Sequence, residues 1–128
     1  MEDVLKQNVT PHVRVFAVWE PILPTDYSPP GTAILARLDD PRVAQYWDKD
    51  HLFAAQLGRK IQADAEQPQP KCCTRNGIQW DEIAVYASDA QWNGQLPRAL
   101  FLNGPVVRSL DFSEVLSRLL LTRKDRAQ

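Results

Sequence analysis

The sequence predicts an α/β (α+β) layered domain, on three observations. An unbroken β-branched and aromatic run spans residues 13–19. A long proline-rich and helical stretch follows it. The last third then changes period into short strands and closes on an amphipathic helix. At 128 residues the chain reads as one domain over 1–128, without room for two independent cores.

The elements follow in order. Glu2 to Gln7 read as the end of a helix. Val13-Arg-Val-Phe-Ala-Val-Trp19 carries one polar side chain, Arg14, the pattern of a strand covered on both faces, as in a parallel sheet. Four of the ten prolines then fall between Pro21 and Pro30. Because proline fixes φ and removes a backbone donor, this stretch is an ordered loop. A short helix is expected over about 32–38. Asp40-Pro41 reads as an N-cap followed by proline at the first helical position, which predicts another short helix through Tyr46 and Trp47. Asp48 or Asp50 can cap the next helix, whose face is marked by Phe53, Leu57 and Ile61. Gln67-Pro-Gln-Pro70 ends it.

In the last third, residues 82–87 read as a strand, and 98–102 and 105–110 as two more around Asn103-Gly104. Asn-Gly between apolar runs is the strongest short-range hairpin signal. Pro105 lacks a donor and belongs at a strand start or on an edge. Asp111 with Glu114 resembles a capping box before the stripe Val115, Leu116, Leu119 and Leu120. Arg123 and Lys124 suit the negative end of that helix.

Fifteen basic against sixteen acidic residues argue against a nucleic-acid partner, which asks for a basic excess. No apolar run approaches the roughly 20 residues of a membrane span, and the amino terminus has no basic-then-apolar leader. A cytoplasmic protein is the expectation. There is no phosphate-cradling glycine loop, no Gly-x-Ser-x-Gly and no zinc-protease histidine pair, and no cofactor is expected.

Leu96-Pro97-Arg-Ala-Leu-Phe-Leu-Asn-Gly-Pro-Val-Val-Arg108 resembles the carboxy-terminal half of the thioredoxin fold: a proline opening a strand, a turn, a second strand and a terminal helix. Trp19-Glu-Pro-Ile-Leu-Pro-Thr-Asp26, Arg42-Val-Ala-Gln-Tyr-Trp47-Asp48, Cys72-Cys73 and Trp80-Asp81 resemble a subgroup of bacterial thioredoxin-like proteins of poorly defined function. The resemblance implies a central mixed β-sheet with flanking helices, and a cis Pro97 facing the redox site. It also implies something missing. The strand at Val13 looks like that fold's second strand, and the chain holds no Cys-x-x-Cys. The expectation is therefore a thioredoxin-like domain without its first strand and helix, leaving two rows of backbone groups unpaired. A start codon placed downstream of an upstream cysteine or selenocysteine site, a local segment filling the gap, or dimerisation by strand pairing would each account for it.

The resemblance thus implies a thiol–disulfide redox role that is catalytically incomplete in this chain, with a protein thiol partner; Cys72 and Cys73, as an auxiliary thiol pair, and Pro97, as the substrate-facing proline, are its candidate catalytic residues. Adjacent Cα atoms lie about 3.8 Å apart across a trans peptide, below the roughly 4.4 Å usual for a disulfide. A bridge between Cys72 and Cys73 would be easily reduced and suited to switching. The same two thiolates could hold a soft metal ion, or be two reduced cysteines, one of them packed. Zinc would need further ligands, with only His12 and His51 available. Lys71 and Arg75 would favour thiolate. The alternative function is a non-enzymatic module working by self-association, as a homodimer, or by partner binding. Trp19, Trp47, Trp80 and Trp92 are expected as core or interface anchors. Asp26, Asp48, Asp50 and Asp81 read as caps and turns, and His51 as a first-turn helix residue.

Overall fold

The computed structural model describes the backbone of residues 1–8, 12–108 and 111–126, and the side chains of residues 1–8, 12–108 and 112–122. The chain forms two compact units, Met1–Ala54 and Ala55–Gln128.

The first unit opens with helix α1, Glu2–Gln7. Strand β1, Val15–Trp19, then pairs in parallel with β2, Val43–Trp47, in the register Val15↔Val43 to Trp19↔Trp47. Between them lie α2, Thr32–Leu35, and a 3-10 turn, Ala36–Leu38, where the sequence places a short helix.

β2 is a correction, since the sequence reading makes this segment a helix. Asp40-Pro41 opens a turn instead. The Asp40 carbonyl accepts from Val43 N–H at 2.9 Å, and Asp40 Oδ1 accepts from Arg42 N–H at 2.9 Å. Aspartate then proline suits positions i and i+1 of a β-turn as well as it suits a helix start. The side chain of Arg42 holds the turn in place: Nη2 donates to Asp40 Oδ2 at 2.7 Å and to the Leu5 carbonyl at 2.8 Å. That pairing keeps the Asp40 carboxyl down at about 2. With β2 in place, the strand whose edge the sequence reading leaves open has a parallel partner.

β1 is not covered on both faces either. Phe16 is 66% exposed and Tyr46 54%, and their rings sit 6.4 Å apart on one face of the strand pair. Alternation explains this: Phe16 and Val18 on β1 face the same way as Ala44 and Tyr46 on β2.

Helix α3, Leu52–Ala63, begins in the first unit and runs into the second. The second unit continues with a hairpin of β3, Thr74–Arg75, and β4, Ile78–Gln79. Its turn is Asn76-Gly77, with φ of 52° and 77°, the positive pair that a type I′ turn requires. Strand β5, Ile83–Val85, pairs antiparallel with β6, Phe101–Asn103. After β6 the chain makes a 3-10 turn, Val106–Arg108, and closes on α4, Asp111–Arg126.

The expected hairpin at Asn103-Gly104 is therefore corrected. β6 takes β5 as its partner, 106–108 is a turn rather than a strand, and 109–110 lie outside the described residues. The side chain of Asp111, expected to cap α4, is likewise outside them. The buried apolar side chains of this unit include Leu57, Ile83, Val85, Leu96, Leu102 and Leu116, with Phe112 against Phe101 at 6.4 Å. Gln67, 2% exposed, accepts from Ala99 N–H at 3.0 Å. Asp64 is paired with Arg98 and Lys60, both at 2.9 Å, which holds its carboxyl well below the usual range.

Gly58 sets the distance between α3 and the β3–β4 turn. A Cβ there would stand 2.1 Å from the Gly77 carbonyl oxygen, closer than any real contact. Gly58→Ala ought to raise helix propensity, yet the clash should win and cost about 1–3 kcal/mol. Urea denaturation checks this; an unchanged or higher midpoint would contradict the close approach.

Candidate functional site

The two cysteines are brought together as a bonded pair. Cys72 and Cys73 form a disulfide, with Cα atoms 3.7 Å apart, and both are half-buried. The backbone that holds them is specific. Cys73 has φ of 72°, in the left-handed region that costs a non-glycine residue of order 1–3 kcal/mol. Its carbonyl accepts from Trp80 N–H at 2.9 Å, one step beyond the β3–β4 ladder. On the other side, Lys71 N–H donates to Asn103 Oδ1 at 3.3 Å. The pair is thus tied to the end of the hairpin and to the end of β6.

Gly104 completes the site. It is buried, and a Cβ on it would lie 2.6 Å from the Asp81 carbonyl oxygen, 3.1 Å from Cys72 Sγ and 3.1 Å from Glu82 Cγ. Only the absent side chain lets the Cys72 sulfur and the Asp81 backbone close on this loop. Val106 N–H, two residues on, donates to the Asp81 carbonyl at 3.1 Å and to Asp81 Oδ1 at 3.3 Å.

Pro97 does not carry the cis bond expected of it. Among the described residues the cis peptide bond is Gly104–Pro105, which follows the glycine that packs near Cys72. The reading by resemblance picks the proline that precedes β6, whereas the structure has one that follows it.

A second cluster lies at the carboxyl ends of β1 and β2, the side where open α/β sheets gather ligands. Glu20 follows β1 as Asp48 follows β2, and Asp48 N–H donates to the Trp19 carbonyl at 2.7 Å. Asp48 caps α3, as expected: Oδ1 accepts from Leu52 N–H at 2.7 Å and Oδ2 from Phe53 N–H at 2.9 Å. His51, with φ of 56°, donates from Nε2 to the Pro21 carbonyl, so that nitrogen bears hydrogen. Glu20 is the residue the sequence reading passes over. Its Oε2 is buried without a hydrogen-bond partner. Burial pushes its carboxyl up to about 7; His51 opposes the shift and Asp48 adds to it. Nothing local in Trp19-Glu20-Pro21 announces this, because the cause is burial in the folded chain together with the charges of His51 and Asp48.

The remaining candidates fall into structural roles. Asp26 Oδ2 accepts from Leu23 N–H at 3.2 Å and Asp81 sits in the turn described above, so both act as turn residues. Trp19 donates from Nε1 to Gln45 Oε1 at 3.0 Å, Trp19 and Trp47 are half-buried, and Trp80 and Trp92 are exposed. Among the described residues no three His, Cys, Asp or Glu side chains are placed to hold a metal ion, and no helix is long and apolar enough to cross a membrane. No protein family, curated protein or solved structure matches this chain.

Two outcomes follow. The folded chain keeps the Glu20 proton up to about pH 7, whereas an ordinary glutamate releases it near 4.5. The stability this proton supplies is full below 4.5 and is lost as pH rises through 7. Glu20→Gln should remove that fall, seen as a thermal midpoint flat over the same pH window, while a slope kept in the variant would contradict the assignment. Asp48→Ala should cost about 0.5–2 kcal/mol through the lost cap, measured by chemical denaturation at neutral pH. No loss would contradict the capping role.

Proposed function

We propose that the chain is a thiol–disulfide redox protein of thioredoxin-like layout, with Cys72 and Cys73 as its exchanging sulfurs. The observation that carries this is the half-exposed bond between them, tied by Trp80 and Asn103 to the ends of two paired elements. Adjacent cysteines bridge across a span shorter than disulfides favour, so their bond suits reversible exchange better than permanent stapling.

The order of elements supports the layout. From β1 onward, with the β3–β4 hairpin set aside, it reads strand, helix, strand, helix, strand, strand, helix, with the first pair parallel and the last antiparallel. In that reading β1 takes the place of the fold's first strand, not of its second as the resemblance alone implies, and the first strand and helix are not missing. The cysteine-free loop over residues 20–31 then stands where Cys-x-x-Cys stands in the family, and the redox pair has moved to 72–73.

A second reading, self-association as a homodimer, is favoured by the open Phe16–Tyr46 face. Sedimentation of the wild type and Phe16→Ser separates it from a monomeric redox protein. The soft-metal reading has two sulfurs to offer and no third ligand among the described residues.

The redox reading is tested by equilibrating the protein in glutathione buffers of graded potential and counting alkylatable thiols by intact mass. Two thiols should appear and disappear together, reversibly, within the range that cellular thiols cover. A pair that stays fully reduced or fully oxidised across the whole series would refute it.

A further inference from the structure

We infer that the two sulfurs have unequal parts: Cys73 is the sulfur that exchanges with the partner, and Cys72 is the sulfur that leaves and later closes the bond. This rests on the redox reading above and adds a direction to it.

The asymmetry lies in what surrounds each cysteine. Cys72 Sγ packs on buried Gly104, 3.1 Å from where a Cβ would be, and the Asp81 carbonyl and Glu82 Cγ close on the same point at 2.6 and 3.1 Å. That flank of Cys72 is held by the Gly104 and Asp81 backbone, which does not swing aside as a side chain can, with the Glu82 side chain beside them. Cys73 sits on the other side of the bond, at the start of an exposed segment. Thr74, Arg75, Asn76 and Gly77 are all exposed. Its positive φ lies directly before the β3–β4 hairpin. Thiolate attack on a disulfide needs access to the sulfur struck and a leaving group that can carry charge. Lys71 and Arg75 flank the pair in the chain and are exposed; a cation close to a cysteine favours its thiolate.

The exchange balances. An incoming thiolate, from glutathione or a protein cysteine, forms a bond to Cys73 Sγ and breaks the Cys72–Cys73 bond. Cys72 leaves as a thiolate and takes a proton from water. A second thiolate then attacks the partner's sulfur in the mixed disulfide and releases the Cys73 thiolate. Two partner thiols are oxidised to one disulfide, and the protein disulfide is reduced to two thiols. In the reverse direction Cys73 carries the partner, and Cys72 expels it.

The test uses the full chain as Cys72→Ser and Cys73→Ser, reduced, desalted and treated with glutathione disulfide. Intact mass follows the gain of one glutathionyl group. The chain that keeps Cys73 should form the adduct roughly tenfold faster than the chain that keeps Cys72, because access governs the rate. In the wild type, oxidised protein given limiting glutathione and quenched in acid should carry the adduct on Cys73, as located by peptide fragmentation. This second measurement stands if a serine variant fails to fold. Equal rates, a faster Cys72 or an adduct on Cys72 would overturn the inference while leaving the redox reading intact. A wild-type pair that never cycles in the glutathione series would remove the reading itself, and the inference with it.

Discussion

A bare backbone at position 104 is the constraint on which the cysteine site depends. Without a side chain, Gly104 admits the Asp81 carbonyl, the Glu82 side chain and the Cys72 sulfur around one point. Around that contact the rest of the site is built by hydrogen bonds from main-chain N–H groups: Trp80 to the Cys73 carbonyl, Val106 to the Asp81 carbonyl, and Lys71 to the Asn103 side chain. Backbone contacts of this kind fix position without supplying reactive groups. The chemistry is left to the two sulfurs, and the scaffold decides how each is reached.

Glycine has a second use of the same sort at Gly58, where α3 meets the Gly77 carbonyl of the hairpin turn. The hairpin that leads away from the cysteines is therefore braced at its turn by one glycine, and the cysteines are backed by another. Between them the segment from 72 to 81 contains three non-glycine residues at positive φ, Cys73, Asn76 and Asp81. Such conformations persist where their surroundings hold them, and here the holding contacts are visible. Glu20 shows a different route to a special residue in the first unit, where burial beside Asp48 at the strand ends raises an ordinary carboxyl.

Much of this was legible from the residues, and the failures have physical reasons. Periodicity finds α3 and side-chain chemistry narrows its cap to Asp48 or Asp50, because aspartates and the Phe53–Leu57–Ile61 face are local signals; the hydrogen bonds select Asp48. The β1 run, the short helix at 32–38 and β5 were readable for the same reason. β2 was not, since Asp40-Pro41 opens a turn as readily as a helix, and Arg42 reaching back to Leu5 decides the matter from far along the chain. The chain has an Asn-Gly hairpin, but at Asn76-Gly77 rather than at Asn103-Gly104. At Asn103-Gly104 the following proline has no donor for a ladder, whereas at Asn76-Gly77 both neighbours are free to pair. In the site, the sequence pointed to the cysteines, but Gly104 and Glu20 became visible only once distant strands were paired. The cis bond is at Pro105, not Pro97, and the residues around the two prolines carry no local sign of which bond is cis.

The most direct test of the central claim is the carbon chemical shift of the two cysteine Cβ atoms, followed by NMR as reductant is added and withdrawn. Exchange at this site predicts that both move together from the disulfide range to the thiol range and return, with the Gly104 amide moving in step. Cysteines already in the thiol range without reductant, or a Gly104 amide indifferent to their state, would contradict it.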